Sequence, residues 1–382
     1  MGTSTSSCRW SKPAGSCHPL RSAPRTARRA YDAADHCCQP NRVRNDAERK
    51  KLTTVVIPVT FAAMKFATRL NSFVSGGDVS AALRRVAATD AIDYVDLNYP
   101  EHFENLDPAA MKALLDELGL TLNGTATRFR KQFVAGEFSN PDETIRRAAI
   151  DLAKEAIDAS ATCGSDLLTV WLGFDGYDFT FQKDYAKDLQ RIVEAFQELA
   201  DYRPDFRISI EYKPYEERVH SMINSFGQTL DIIKRIDRPN LGATLDFAHM
   251  LMAGDQPGFG ASLLLEDGKL FGIHLNDGNN AHDDGLLIGS IHPFETMEMI
   301  YFLLRYEWDG VIYFDTFPIR EDAQDEAETN RATVELFFEK VKAVGVDRIT
   351  DVIRSQDGIA AQQLRNELLG IGAAKYAAEL TR

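Results

Sequence analysis

Short apolar runs recur along the chain from Met64 onward, and they alternate with longer amphipathic segments. This alternation predicts repeated strand–helix units and a parallel sheet. Eight of the runs are suited to strands, and eight strands close a (β/α)8 barrel. The predicted strands are Phe66–Leu70, Tyr94–Asn98, Leu120–Gly124, Leu167–Leu172, Ile208–Glu211, Gly242–Asp246, Leu270–His274 and Val311–Asp315. The pattern therefore predicts an α/β fold of the TIM-barrel type.

Helix start and stop signals lie between the predicted strands. Asp107-Pro108 and Asn140-Pro141 each place a capping residue before a proline, which is typical of a helix N-terminus. Gly119 and Gly164 lie where these two helices should end. The further predicted helices are Asp184–Leu199, Gly227–Arg235, Pro293–Tyr306 and Glu326–Val344.

The same pattern divides the chain into three parts. No boundary interrupts the strand–helix order, so residues 64–347 are predicted to form one barrel. Residues 348–382 are predicted to be a helical extension that packs beneath the barrel or reaches across to a second subunit of a homo-oligomer. Residues 1–63 are rich in Arg, Ser, Pro and Cys without a sustained period, and are predicted to be disordered. They are either upstream sequence ahead of a natural start at Met64 or an organellar transit peptide.

Charge and cysteines are distributed unevenly between these parts. Residues 1–63 carry a net charge of +7 and the rest of the chain −21. Because an acidic body repels nucleic acid and anionic membranes, the expected partner is a small neutral molecule or a cation. Four of the five cysteines lie before residue 64, which excludes a disulfide framework in the body and favours a reducing cytoplasm. The remaining Cys163 is predicted to be a core residue.

Four potential metal ligands end four consecutive predicted strands: Glu211, Asp246, His274 and Asp315. In this architecture the carboxyl ends of the strands carry the active site, so the four side chains should converge. Three carboxylates and an imidazole suit Mn²⁺ best, with Mg²⁺ or Co²⁺ as alternatives. Taken singly, each Asp has an alternative as a helix cap and the His as a core residue. Their repetition on successive strands favours a metal site.

Further polar residues lie near this quartet in sequence. His249, His282 and Asp284 are candidate ligands for a second cation, with a solvated acidic loop as the alternative. Lys213 lies two residues beyond Glu211, so alternation directs both side chains to the same face. Its ammonium is suited to holding a substrate oxygen and stabilising negative charge there. Trp171, at the end of the fourth predicted strand, is a candidate wall of a sugar pocket.

Together these motifs resemble the xylose isomerase-like superfamily over roughly residues 65–344, and most closely its L-rhamnose isomerase branch. The resemblance implies a structural metal site formed by the quartet and a catalytic site that includes His249 and Asp284. It also implies that Lys213 contacts the substrate oxygen next to the carbonyl carbon and that Trp171 lines the pocket. Where the branch has a first loop aspartate, this chain has His282. The motifs that carry the resemblance are Glu211-Tyr212-Lys213-Pro214, Leu245-Asp246-Phe247-Ala248-His249, His274-Leu275-Asn276-Asp277 and Phe314-Asp315.

The expected activity is a sugar isomerisation in which a metal-assisted hydride shift interconverts an aldose and a ketose. In this reading Lys213, Glu211 and Asp315 are the catalytic residues. The nearest alternative is a one-metal ketose 3-epimerase, in which two carboxylates remove and return a carbon-bound proton. A second glutamate on the last strand would be expected there, and the shorter Asp315 argues against it. A metal-dependent lyase acting on an oxidised glycoside and a non-enzymatic sugar-binding barrel are the remaining alternatives.

Overall fold

The computed structural model describes residues 64–371, and in this part of the chain eight strands form a closed barrel. Every neighbouring pair is parallel, and the last strand closes on the first through the pairing of Lys65 with Val311. The TIM-barrel prediction is therefore confirmed. The barrel strands are β1 (Lys65–Arg69), β2 (Tyr94–Tyr99), β3 (Thr121–Thr127), β4 (Leu167–Trp171), β5 (Arg207–Glu211), β6 (Leu241–Asp246), β7 (Leu270–Leu275) and β8 (Val311–Phe314).

Helices surround the barrel and bury the apolar faces of the strands. Strand residues such as Val170 and Ile210 and helix residues such as Ile157 and Phe196 belong to one buried apolar cluster. Burial of this surface is the main favourable term in folding. The helices are α1 (Val79–Ala87), α2 (Pro108–Leu118), α3 (Glu143–Thr162), α4 (Tyr185–Tyr202), α5 (Phe226–Ile236), α6 (Phe247–Ala253), α7 (Pro257–Glu266), α8 (Pro293–Arg305), α9 (Ala323–Val344), α10 (Val346–Ser355) and α11 (Gly358–Leu368).

The start signal of α2 is confirmed and that of α3 is shifted. Asp107 caps α2 by accepting a hydrogen bond from the backbone N–H of Ala110, and Gly119 ends this helix with φ of 71°. The helix α3 begins three residues after Asn140, with Asp142 as its cap. Asn140 is buried instead in the preceding turn, where its side chain donates to the carbonyl of Gly136 and accepts from the N–H of Asp142. The side chain of Asn140 is therefore hydrogen-bonded within the loop and does not cap the helix.

Three α-helices and two short strands of the described residues were not predicted from the sequence. They are the helices α1, α6 and α7 and the two-residue antiparallel strands 176–177 and 220–221. The helix α6 has only seven residues and follows β6 directly, so it is too short to show a helical period. It nevertheless matters for the site, because it positions His249.

The C-terminal extension is helical as predicted, and α10 and α11 pack against α8 and α9 on the outside of the barrel. No helix within residues 64–371 is long and apolar enough to cross a membrane. The predictions made for residues 1–63 and for the end of the extension, residues 372–382, lie outside the described residues.

Candidate metal centre

The four predicted ligands meet at the carboxyl ends of β5 to β8. One ligand atom from each of Glu211, Asp246, His274 and Asp315 lies within 4.8 Å of the others. The Nδ1 atom of His274 is 3.3 Å from Glu211 Oε1 and 3.9 Å from Asp315 Oδ2. Asp246 is 1% exposed and Glu211 8%, whereas Asp315 remains partly exposed. Consecutive strands of the barrel thus bring the quartet to one point, as their sequence positions predicted.

A second cluster adjoins the first and consists of Asp246, His249 and Asp283. Because α6 begins directly after Asp246, His249 lies on its first turn, where its backbone N–H donates to the Asp246 carboxylate. His249 Nδ1 is 3.6 Å from Glu211 Oε1, and Nε2 is 3.3 Å from Asp283 Oδ2. Asp246 belongs to both clusters, so the structure offers two adjacent sets of ligands with one carboxylate in common.

Two of the predicted loop candidates lie elsewhere in the loop between β7 and α8. Asp284 does not join His249, since its Oδ2 accepts hydrogen bonds from the backbone N–H and the side-chain amide of Asn279. His282 is exposed. The structure therefore places Asp283 beside His249, in the position that the sequence resemblance had given to Asp284.

Lys213 lies at the edge of the second cluster. Its Nζ is 3.1 Å from Asp283 Oδ2 and 3.1 Å from Glu216 Oε1, and its side chain is 12% exposed. Nζ also lies 5.5 Å from the ring centroid of Trp171, which is within the range of a cation–π contact. Burial alone would lower the pKa of Lys213, but Asp283 and Glu216 outweigh it and the pKa is raised. Lys213 is thus a fixed positive charge against the indole.

Asn276 is a buried site residue that was not singled out from the sequence. Its side-chain amide donates to Asp246 Oδ2 over 3.2 Å and to the carbonyl oxygen of Asp315 over 3.1 Å. Its Oδ1 accepts from the backbone N–H of Ala248 over 2.8 Å. Asn276 therefore orients a carboxylate common to both clusters. Its position two residues after His274, on the same face of the strand end, was a signal that could have identified it.

Asp277 anchors the loop that carries Asp283. Its Oδ2 accepts from the backbone N–H groups of Ile291 and His292, and its Oδ1 from that of Gly278 and lies 2.8 Å from His292 Nδ1. A fully buried carboxylate with this many partners fixes both ends of the loop. The position of Asp283 is thus set from a distance by Asp277.

Burial and neighbouring charges shift the pKa values of a carboxylate and of both imidazoles in the site. Burial raises the pKa of Asp246 to about 7, and the negative charges nearby add to this effect while His249 opposes it. Burial would lower the pKa of both imidazoles, but the surrounding carboxylates prevail. Asp246 and Asp283 raise the pKa of His249 to about 9, while Glu211 and Asp315 raise that of His274 to about 10. Positive charge is therefore strongly favoured at this point of the barrel.

The residues present fit a divalent cation. Among the described residues, His249 Nδ1 and Asp283 Oδ1 are buried and lack a hydrogen-bond partner. Such orphaned polar atoms are costly unless a ligand or ion satisfies them. Carboxylate oxygens and imidazole nitrogens are the donors that Mn²⁺, Mg²⁺ and Co²⁺ accept, and Asn276 supplies the orienting hydrogen bonds that metal ligands usually have.

Comparison with known proteins identifies the family to which the chain belongs. Residues 84–333 match the family described as xylose isomerase-like TIM barrel. Over 222 residues the chain is 30% identical to a xylose isomerase from Thermus thermophilus, covering 56% of this chain and 57% of that relative. The chain thus spans little more than half the length of this relative.

Solved structures show the same architecture. A xylose isomerase domain protein from Alicyclobacillus acidocaldarius superposes with a TM-score of 0.59 at 20% identity, covering 73% of this chain and 99% of that one. An L-ribulose 3-epimerase superposes with a TM-score of 0.61 at 16% identity, covering 73% and 96%. At these identities the likeness establishes the fold alone.

Proposed function

Since the chain belongs to the xylose isomerase-like TIM-barrel family, we propose that it is a metal-dependent sugar isomerase that interconverts an aldose and a ketose. The observation that carries this proposal is the pair of adjoining ligand clusters, with the ammonium of Lys213 beside the second. A shift of hydride between C1 and C2 needs both neighbouring oxygens held at once. Two adjacent clusters provide for this, whereas proton abstraction at C3 by an epimerase needs only one.

The quartet would hold one cation, and Asp246, His249 and Asp283 would hold a second. Mn²⁺ is the proposed ion. A bound divalent cation supplies Lewis-acid polarisation of the sugar's carbonyl and hydroxyl oxygens. The chain's own residues then have to orient the sugar, stabilise the charge that develops on it and exclude water.

Lys213 is proposed to bind the substrate oxygen at C1. Its raised pKa keeps the ammonium protonated at neutral pH, so it donates a hydrogen bond to an oxygen that gains negative charge. Asp283 and Glu216 hold Nζ in place before the substrate arrives. A donor that needs no reorganisation during the reaction contributes most to lowering the barrier.

Trp171 is proposed to wall the sugar pocket. The end of β4 places its indole beside Lys213, and the same ring lines a neighbouring cavity of about 340 Å³ together with Phe129 and Phe174. Apolar rings of this kind exclude water while hydride moves between carbons. They also offer a flat face to the C–H groups of a sugar ring or open chain.

A ketose 3-epimerase remains the second candidate, because one of the structural neighbours is an L-ribulose 3-epimerase. Glu211 would serve as one acid–base group. The opposite group would have to come from β8, where Asp315 lies 3.5 Å from Arg69 Nε and 3.9 Å from His274 Nδ1. Burial outweighs the charges of His274 and Arg69 and raises the pKa of Asp315, which suits a proton acceptor. Its side chain is shorter than that of the glutamate expected at this position in an epimerase, and this favours the isomerase.

The test is an incubation of Mn²⁺-loaded protein in deuterated water with a panel of aldoses and ketoses. We expect C1–C2 isomerisation with little deuterium in the product, as a hydride shift requires. Deuterium at C3 of a ketose would establish the epimerase instead. The proposal is refuted if neither reaction occurs with any sugar, or if the protein keeps full activity after chelation of the metal.

A further inference from the structure

Arg128 is a cation at the mouth of the barrel that forms no ion pair with the described residues. It follows β3 directly, and its backbone N–H donates to the carbonyl of Tyr99. Within the described part of the chain its guanidinium forms no ion pair and no hydrogen bond, and its Nε atom is buried without a partner. An unpaired buried donor on a charged group is costly, so a ligand is the expected partner.

Several other partly buried arginines of this chain form ion pairs. Arg147 forms two hydrogen bonds to the carboxylate of Glu198, at 2.9 and 2.7 Å. Arg191 donates to Asp188 over 2.9 Å. These two arginines have carboxylate partners, and Arg146 donates to the carbonyl of Asn140, whereas the guanidinium of Arg128 has no such partner among the described residues.

The position of Arg128 relates it to the proposed sugar pocket. Its guanidinium carbon lies 5.3 Å from the centroid of the Trp171 ring, the same indole that Lys213 approaches at 5.5 Å. Trp171 ends β4, Arg128 follows β3 and Lys213 follows β5. A guanidinium that stacks on an aromatic face keeps its N–H edge free for a planar or tetrahedral anion.

A second arginine lies on the same side of the barrel. Arg69 ends β1, where its guanidinium is 4.6 Å from the Phe317 ring. Burial lowers the pKa of His102 to about 4, and the charges of Arg128 and Arg69 add to the effect. Both cations therefore act on one small region at the edge of the metal centre, where Arg69 Nε lies 3.5 Å from Asp315 Oδ1 and the charge of Arg128 helps to lower the pKa of Glu211.

We propose that Arg128, assisted by Arg69, binds an anionic group at the end of the sugar that lies away from the carbonyl. The group is a carboxylate or a phosphate, so the substrate is a sugar acid or a sugar phosphate. A sugar lying along Trp171 would then have its carbonyl end at Lys213 and its anionic end at Arg128. This inference rests on the proposed sugar site and names the substrate class that it takes.

The experiment compares three forms of each hexose with Mn²⁺-loaded protein: the neutral sugar, its C6 carboxylate and its 6-phosphate. Glucose, galactose and mannose supply the three skeletons. Dissociation constants are measured by calorimetry, and isomerisation is followed separately on the same nine compounds. We expect at least one anionic form to bind about 10- to 100-fold more tightly than its neutral parent, the usual effect of a charge-assisted hydrogen bond. A preference for the carboxylate or the phosphate identifies the group.

The variant Arg128→Gln should abolish this preference, and Arg128→Lys should restore part of it. Arg130→Gln is the matched control, since Arg130 is exposed and pairs with Glu104. The inference is overturned if neutral and anionic sugars bind alike, or if Arg128→Gln weakens all sugars equally, as a packing role would. Anion-selective binding without isomerisation would overturn only the isomerase, whereas isomerisation of neutral sugars without anion preference would overturn only this inference.

Discussion

Asp283 and Asp284 are adjacent acidic residues to which the structure gives different environments, and this makes them a matched pair for substitution. Asp283 Oδ2 lies 3.3 Å from His249 Nε2 and 3.1 Å from Lys213 Nζ, and its Oδ1 is buried without a partner. Asp284 accepts two hydrogen bonds from Asn279. If the second cluster holds a cation, Asp283→Asn should weaken that cation's binding strongly and Asp284→Asn should not.

The expected losses of metal affinity and activity follow from the contacts of each carboxylate. Loss of a residue that merely orients a ligand costs about 10- to 100-fold in metal affinity, so loss of the direct ligand Asp283 should cost about 100-fold or more. Catalytic efficiency, kcat/KM, should fall at least as much, because Lys213 and His249 lose their shared carboxylate. The amide in Asp284→Asn can still accept from Asn279, so its effect on stability should stay near 0.5 kcal/mol.

Manganese binding can be counted by electron paramagnetic resonance, in which the free ion gives a signal that the bound ion loses. We expect two ions per chain for the wild type and for Asp284→Asn, and one for Asp283→Asn under the same conditions. A second ion retained by Asp283→Asn at wild-type affinity, or lost from Asp284→Asn instead, would show that Asp283 is not a ligand.

Four further outcomes are expected. Because His249 and His274 have pKa values near 9 and 10 without metal, Mn²⁺ binding at pH 7.5 should release roughly two protons, which calorimetry in buffers of different ionisation enthalpy measures; release of none would contradict it. Both pKa values lie above the unfolded value of 6.5. The stability that these histidines give the metal-free protein is therefore complete below about pH 6.5 and is lost as the pH rises through 9 to 10. A melting temperature that stays constant over this pH range would contradict this prediction. Lys213→Met should lower kcat about 100- to 1000-fold with bound metal unchanged, and a selective rise in KM would argue against charge stabilisation. Asp277→Ala removes four contacts of a buried carboxylate and should cost about 3–5 kcal/mol in urea unfolding, whereas a cost under 1 kcal/mol would show that the loop is held otherwise.

Much of the barrel and the quartet could be predicted because both follow from local sequence. Apolar runs bounded by turn residues mark strands, and a strand's last residue lies at the carboxyl end by definition, so Glu211 and Asp246 needed no knowledge of tertiary packing. His274 and Asp315 follow the same rule, with Asp315 directly after the last residue of β8.

The loop residues could not be predicted in this way. Whether Asp283 or Asp284 faces His249 depends on the path of the loop, which is fixed by the pairing of Asp277 with Leu286 and by the contacts of the Asp277 carboxylate with residues more than ten positions away. Carrying over a family spacing by count therefore selected the neighbouring aspartate. The short helix α6 was missed for a related reason, since seven residues show no period even though they position His249.

The carboxylate of Asp246 belongs to both ligand clusters, and this makes the two occupancies thermodynamically linked. An ion in either cluster changes the charge and orientation of the group that the other needs, so the affinity of each must depend on the other by the same factor. A metal titration will accordingly yield two macroscopic constants that describe the pair and not the individual positions. Activity should then rise with metal concentration along a curve that no single-site isotherm fits.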